Sequence, residues 1–169
     1  MKKIALAIIC AFYLLSAPVF AASPTLIGDY GDWSAYYMPE GKSIMCYMTS
    51  FPSKSEGKYT SRGEVFMAIT HRPADKTFDV VNFVAGYTYK KDAPITVKIG
   101  NTVIKDLFTD KDKAWALSEN VDKKLVAEMK RGNQLIIEGS SFKGTLTKDT
   151  YSLKGFSAAY RAISEKCRR

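Results

Sequence analysis

His71 is the only histidine of this 169-residue chain, and it is the side chain best suited to act as a general base near neutral pH. It precedes Arg72, Asp75 follows four residues on, and serines are plentiful. A serine hydrolase places such a base between a nucleophile and an orienting acid, but no GxSxG nucleophile elbow occurs here. We therefore interpret His71 as a surface histidine at a turn, and keep a hydrolase that uses it as the less favoured alternative.

The sequence also lacks the common metal-binding and cofactor-binding patterns. It has no CxxC, no HExxH and no cluster of histidine with carboxylates. Asp106, Asp110 and Asp112 lie in the stretch DLFTDKDK, but only the last two alternate as a calcium loop requires, and lysines interleave. No glycine-rich loop precedes a helix in the form that binds phosphate. We predict no metal site, no cofactor and no catalytic residue, and interpret DLFTDKDK as a solvated connection.

Tyrosines are the strongest candidates for a binding surface. Tyr87 and Tyr89 alternate at the end of a strand-like stretch, residues 77–89, and Lys90 and Lys91 follow directly. Alternate residues of a strand point to the same face. The two tyrosines therefore form either an exposed platform or, as we favour, one row of a sandwich core with hydroxyls at its rim. If they are exposed, these four residues form the predicted binding surface.

The N-terminal residues predict export. Two lysines precede an apolar run, residues 4–15, and Ala21 ends a stretch of small residues that suits signal-peptide cleavage. The apolar run is shorter than the roughly 20 residues of a bilayer-spanning helix. We predict a signal peptide over residues 1–21 and a single domain over residues 22–169; an uncleaved membrane anchor is the less favoured alternative.

Export changes the interpretation of the cysteines. Cys10 is removed with the signal peptide, which leaves Cys46 and Cys167. An even pair in an exported protein predicts a disulfide bond, since exported proteins meet an oxidising environment. The count alone does not distinguish a bridge within one chain from a bridge between two chains.

The net charge and the distribution of the basic residues limit the possible partners. Two of the 25 basic residues fall in the signal peptide, so 23 remain against 17 acidic residues, a net charge of +6. The basic residues are spread along the chain, whereas a nucleic-acid interface has a dense basic patch with interleaved aromatic residues. We predict no nucleic-acid partner, and keep peripheral contact with an anionic membrane or an acidic glycan as an alternative.

The elements that position these residues are mostly short strands. The strand-like stretches cover residues 63–70, 77–89, 95–104, 113–118 and 133–153. Gly100-Asn101 between two β-prone runs predicts a hairpin. We expect further turns at residues 139–141 and 148–149, and interpret residues 22–33 as a tether.

Two segments have helical periodicity. The first, residues 120–133, has Asn120 as its predicted N-cap and Gly132 in the left-handed conformation beyond its end. The second lies at the C-terminus and places Phe156, Ala159, Tyr160, Ile163 and Cys167 on one face. Many short strands with two short α-helices, one of them C-terminal, predict a mainly β domain, an antiparallel β-sandwich or a flattened barrel.

Several motifs are similar to those of one known family. The C-terminal run LVAEMKRGNQLIIEG…YSLKGFSAAYRAISEKC, the GDW at 31–33 and the AW at 114–115 resemble the invasion-associated locus B family of exported bacterial proteins. The resemblance implies a periplasmic or surface-exposed β-sandwich of a Gram-negative bacterium and, in some pathogens, an association with host-cell entry. It supplies no established catalytic residue.

These observations lead to one main hypothesis about function. We expect an exported, non-enzymatic protein with a binding or envelope role linked to host-cell interaction, whose partner is an envelope or host-surface component. A periplasmic carrier of a small molecule or lipid, with a cavity between its sheets, is the alternative from a different class.

Overall fold

The computed structural model describes residues 23–169, which form two antiparallel sheets and two α-helices. The predicted signal peptide and Cys10 lie outside the described residues. The strands are β1 (Thr25–Tyr30), β2 (Trp33–Glu40), β3 (Ser43–Ser50), β4 (Lys54–Gly57), β5 (Phe66–Arg72), β6 (Thr77–Val84), β7 (Thr96–Ile99), β8 (Thr102–Ile104), β9 (Leu107–Asp110), β10 (Lys113–Ala116), β11 (Gln134–Ser140) and β12 (Leu146–Ser152). The helices are α1 (Glu119–Arg131) and α2 (Phe156–Lys166), and a short 3₁₀ turn covers Pro73–Asp75.

The two sheets differ in size and in strand order. The larger sheet has seven strands in the order β1-β2-β3-β5-β6-β10-β9, and the smaller has five in the order β4-β12-β11-β7-β8. The mainly β prediction, with two helices of which one is C-terminal, is therefore confirmed. The sheets remain separate, so the flattened barrel given as the second architecture is not formed.

The core lies between the sheets and under the helices. Strand side chains alternate between this interior and the outer faces, as in β3, where every second residue from Cys46 to Ser50 is buried. Large side chains fill the interior: Trp33, Phe83, Tyr151 and Phe156 are each at most 1% exposed. Because burial of apolar surface is the main stabilising term in folding, this filled interior dominates the stability of the domain.

Helix α1 differs from its prediction at both ends. Ser118 is the N-cap residue, and Asn120 lies inside the helix. Gly132 has an extended backbone, with φ −86°, and does not adopt the left-handed conformation. A Cβ on Gly132 would lie 2.6 Å from Cγ2 of Ile99, so this position requires glycine because the helix end packs tightly against β7.

Helix α2 has the predicted buried face and begins directly after a glycine. The Phe156, Ala159, Tyr160 and Ile163 side chains are all buried. Gly155 has φ +89°, and a Cβ there would lie only 1.7 Å from the carbonyl oxygen of Tyr30. The chain can therefore turn into α2 against β1 only because this residue has no side chain.

Several loops and turns were predicted wrongly. Most of the supposed tether, residues 22–33, is the edge strand β1, and residues 148–149 lie inside β12 and not in a turn. DLFTDKDK contains β9 and its turn into β10. The strand that was predicted over residues 77–89 ends at Val84, because Gly86 takes φ +68° and packs against Gly63. The hairpin at Gly100-Asn101 is present as predicted.

Candidate functional site

A disulfide bond joins the C-terminal segment to the larger sheet. Cys46 in β3 and Cys167 directly after α2 are bridged, with Cα atoms 6.0 Å apart and a sequence separation of 121. Both cysteines are buried, as the helical spacing of Cys167 with Ile163 implied. In the structure the two cysteines pair within one chain, and the bridge fixes the end of α2 against β3.

His71 is not at the surface, so this prediction was wrong. It lies in β5, opposite Cys46 of β3, and is 0% exposed. Its ring packs edge-on against Tyr160 of α2, with ring centroids 5.6 Å apart. The turn predicted near His71 begins only at Pro73, and α2 covers the imidazole.

The hydrogen bonds of His71 determine what its imidazole can do. Nδ1 accepts the backbone N–H of Asp79 at 3.1 Å, which places the ring proton of the neutral imidazole on Nε2. Nε2 lies 3.2 Å from the Ser164 hydroxyl oxygen and therefore donates to it. A hydrolase base must accept a proton from its serine, so this pair has the opposite polarity. Burial also lowers the pKa of His71 to about 4.

Asp79 connects the last residue of the chain to this cluster. Its backbone has φ +64°, an uncommon left-handed conformation for a non-glycine residue. Its Oδ1 accepts the Tyr160 hydroxyl at 2.7 Å and also the guanidinium of Arg169. We name the residues His71, Asp79, Tyr160, Ser164 and Arg169 the tail cluster. It acts with the adjacent disulfide to hold α2 and the C-terminus on the sheet.

A second arginine–aspartate pair, more deeply buried than the first, lies beyond the other end of the β5–β6 hairpin. Arg62 donates two hydrogen bonds to the carboxylate of Asp149 in β12, at 2.7 and 2.6 Å, and both side chains are 5% exposed. Its Nε donates to the carbonyl of Ala85 at 2.5 Å. The Tyr87 and Tyr59 rings lie beside the guanidinium, with centroids at 4.9 and 5.5 Å. Arg62 therefore connects the loop before β5 to both sheets.

The four residues of the predicted binding surface divide into core and surface. Tyr89 is only 7% exposed and belongs to the core, where burial raises the pKa of its hydroxyl. Tyr87 is half-buried, and its hydroxyl lies 2.5 Å from Oγ1 of Thr147. Lys90 and Lys91 are exposed. Tyr89 therefore lies in the core, as the favoured interpretation had it, and is not part of an exposed platform, whereas Tyr87 and the two lysines belong to the surface described next.

Three segments, residues 57–62, 86–91 and 140–147, converge beside Arg62. The N–H of Phe142 donates to Thr88 at 2.8 Å, and that of Lys90 to Ser140 at 2.9 Å. Their side chains border a cavity of about 280 Å³. Phe142 is 61% exposed and Leu146 75% exposed. We name the exposed part of these segments the corner surface. It comprises side chains that line the cavity, Lys58, Tyr59, Tyr87, Phe142 and Lys143, and the exposed Lys90, Lys91 and Leu146 of the same segments.

Sequence reasoning missed most of the corner surface. Phe142 and Leu146 were assigned to one strand-and-turn stretch without regard to exposure, and Arg62 carried no local signal because Asp149 is 87 residues away. Between residues 23 and 169, histidine, cysteine and acidic residues do not gather in a group of three or more that could hold a metal ion. Over the same residues, neither helix has the length and apolar character needed to cross a membrane.

The fold and the C-terminal bridge together define a two-sheet antiparallel β protein with a disulfide-tethered terminal helix. A family model described as "Invasion associated locus B (IalB) protein" matches residues 33–164, from the start of β2 into α2. The chain belongs to this IalB family, as its motifs predicted. No curated protein and no solved structure matches the chain significantly.

Proposed function

We propose that this IalB-family protein is exported to the periplasm or outer surface of a Gram-negative bacterium, where it acts without catalysis as a binding protein. Its partner is an envelope or host-surface component, and its role is linked to interaction with host cells. The corner surface makes the contact.

The observation that carries this proposal is the exposure of two large apolar side chains among lysines. Phe142 and Leu146 remain more than half exposed although a filled core is available elsewhere in the domain. Lys143 lies between them in sequence, and Lys58 and Lys90 belong to the adjoining segments. Clustered exposed apolar side chains rimmed by charge are typical of interaction sites.

Export is supported by two independent features. The N-terminal residues have the charged, apolar and small-residue regions of a signal peptide. The bridge between Cys46 and Cys167 is of a kind that persists in oxidising compartments and is rare in the cytosol.

The two alternative functions receive less support from the described residues. A hydrolase would need Nε2 of His71 to accept a proton from Ser164. Because Nδ1 accepts the N–H of Asp79, the ring proton is on Nε2, which donates to Ser164 instead. A carrier would need space between the sheets, where Trp33 and Phe83 are instead buried side chains of the core, each 1% exposed.

Binding to envelope material tests the proposal. Protein purified from the periplasm of cells that express the full chain is incubated with envelope fractions of its own host. We expect Phe142→Ser/Leu146→Ser to reduce the bound fraction at least about tenfold, because burial of one such side chain on binding contributes about that factor.

The matched control is Phe51→Ser/Leu117→Ser, which removes two side chains of similar exposure, 59% and 60%, that do not belong to the corner surface. It should bind as the unmodified protein does. Equal binding by the corner variant, or a chain found only in the cytosol, would contradict the proposed function.

A further inference from the structure

We infer that the corner surface docks on the headgroup region of an anionic phospholipid bilayer. The inference rests on the proposed function, because export brings the chain to the envelope membranes. It selects the anionic membrane from the two alternatives, membrane and acidic glycan, that the sequence analysis kept.

The turn between β11 and β12 holds two apolar side chains in a fixed position. Phe142 and Leu146 flank a tight turn in which Gly144 has φ +84° and donates its N–H to Ser141 at 2.7 Å. The Ser141 hydroxyl accepts the N–H of Thr145 at 3.2 Å. These local bonds hold the turn in one conformation, so the two apolar side chains can enter a lipid interface without the entropic cost of ordering a mobile loop.

The lysines around this turn are exposed and positively charged. Lys58, Lys90, Lys91 and Lys143 are all exposed, and within residues 23–169 none of them forms a salt bridge. By contrast Lys54 and Lys148, on the neighbouring strands, share Glu56. A lysine close to an anionic membrane surface strengthens binding about fivefold. Four unpaired lysines beside two apolar side chains therefore complement an anionic, partly apolar interface.

Two tyrosine rings lie at the border of the corner surface. Tyr59 is exposed and Tyr87 half-buried, and both rings are held by the buried Arg62 guanidinium. Tyrosine rings suit the boundary between lipid and water, because each has an apolar body and a polar end.

The two apolar side chains distinguish a bilayer from an acidic glycan as the partner of this surface. A glycan would use the lysines but would bury little of Phe142 and Leu146, whereas a bilayer uses both sets. Variants of each set therefore distinguish the two occupants.

Sedimentation with lipid vesicles tests the inference. Protein expressed from the full chain and purified from the periplasm, with its N-terminus established by intact mass, is mixed with phosphatidylglycerol or phosphatidylcholine vesicles. We expect binding to phosphatidylglycerol only, weakened by added salt. Lys90→Glu/Lys143→Glu should reduce the partition coefficient about 25-fold or more, and Phe142→Ser about tenfold.

Each variant has a matched control elsewhere on the surface. Lys123→Glu/Lys124→Glu makes the same charge change on exposed positions of α1, and Phe51→Ser removes a phenylalanine of similar exposure. Both controls should bind nearly as the unmodified protein does, apart from a small general effect of net charge. Unchanged thermal midpoints establish that all four proteins are folded.

Three results would overturn the inference: no preference for phosphatidylglycerol, equal losses in the corner variants and their controls, or binding to an acidic polysaccharide such as heparin with none to vesicles. If the processed protein is recovered from the periplasm and only vesicle binding fails, the lipid assignment is wrong while the proposed function stands. If the chain is not exported, the proposed function itself fails.

Discussion

The tail cluster and the corner surface lie toward the two ends of the same β5–β6 hairpin, and one arginine–aspartate pair supports each of them. Arg169 and Asp79 belong to the tail cluster, whereas Arg62 and Asp149 lie beneath the corner surface. Near the hairpin turn, Arg169 and Asp79 close the C-terminus over His71. Beyond the open end, Arg62 contacts Ala85 and Asp149, and the residues around the pair extend into solvent. The first pair therefore closes the structure, whereas the second supports an exposed surface.

Burial explains why the two pairs differ in energy. Arg169 is 29% exposed in its side chain, while Arg62 is 5% exposed and its partner equally buried. Removal of one member of a fully buried pair leaves an uncompensated charge without solvent, which costs far more than the pair itself contributes. The disulfide bond also holds the tail, whereas no disulfide bond among residues 23–169 joins the segments of the corner surface.

Substitution of the two arginines tests this comparison with the largest expected effect. Arg62→Ala should lower the free energy of unfolding by about 3 kcal/mol or more, because the Asp149 carboxylate remains buried without a counterion. Arg169→Ala should cost only about 1 kcal/mol, since water reaches this pair and the bridge still holds the tail. Urea titration monitored by circular dichroism measures both values.

A double substitution sharpens this result. Arg62→Met/Asp149→Leu should recover most of the loss, because it removes both charges from the interior. Equal destabilisation by Arg62→Ala and Arg169→Ala would contradict the distinction between a supporting pair and a closing pair.

The pH dependence of stability should show a smaller effect, in which two buried groups oppose each other. Burial lowers the pKa of His71 to about 4 and raises the pKa of Asp122 to about 6. Stability from neutral His71 is present above about pH 6.5 and is lost as the pH falls toward 4. Stability from protonated Asp122 is present below its unfolded pKa and is lost as the pH rises through about 6.

Variants separate the two contributions. In Asp122→Asn, which keeps an acceptor for the Val81 N–H, unfolding free energy should fall by about 2 kcal/mol from pH 6.5 to 4. In His71→Gln it should rise over the same range by a similar amount. Denaturant titrations across this range measure the slopes. The same dependence of unfolding free energy on pH in both variants would contradict this prediction. It would show that the charges of Asp79, Arg169 and Lys130, and not burial, control the pKa of His71.

The parts of the fold that sequence reasoning predicted have local causes. The buried face of α2 follows from side chains three and four residues apart, and the β7–β8 hairpin from Gly100-Asn101. Asn120 failed as an N-cap because Ser118 precedes the first turn, and residues 148–149 failed as a turn because pairing with β11 overrides turn chemistry. Local sequence preference does not predict the backbone conformation where a segment pairs with a strand that is distant in sequence.

The parts of the site that sequence reasoning missed depend on long-range packing. His71 is buried because α2, including Ser164 93 residues later, covers it. Arg62 and Asp149 meet because the loop before β5 crosses to β12. Neither fact has a local signature, whereas the cysteine pair was predictable because only two cysteines remain in the predicted mature chain.

The oxidation state of Cys46 and Cys167 in the exported protein is the most direct test of export and of the bridge that holds α2 on the sheet. Protein is isolated without reductant from the periplasm, denatured in the presence of an alkylating thiol reagent and weighed as an intact chain. We expect a chain that begins after residue 21, with no alkylated cysteine because Cys46 and Cys167 are bridged. Two alkylated thiols per chain, or a chain retained in the cytosol with residues 1–21 attached, would contradict it.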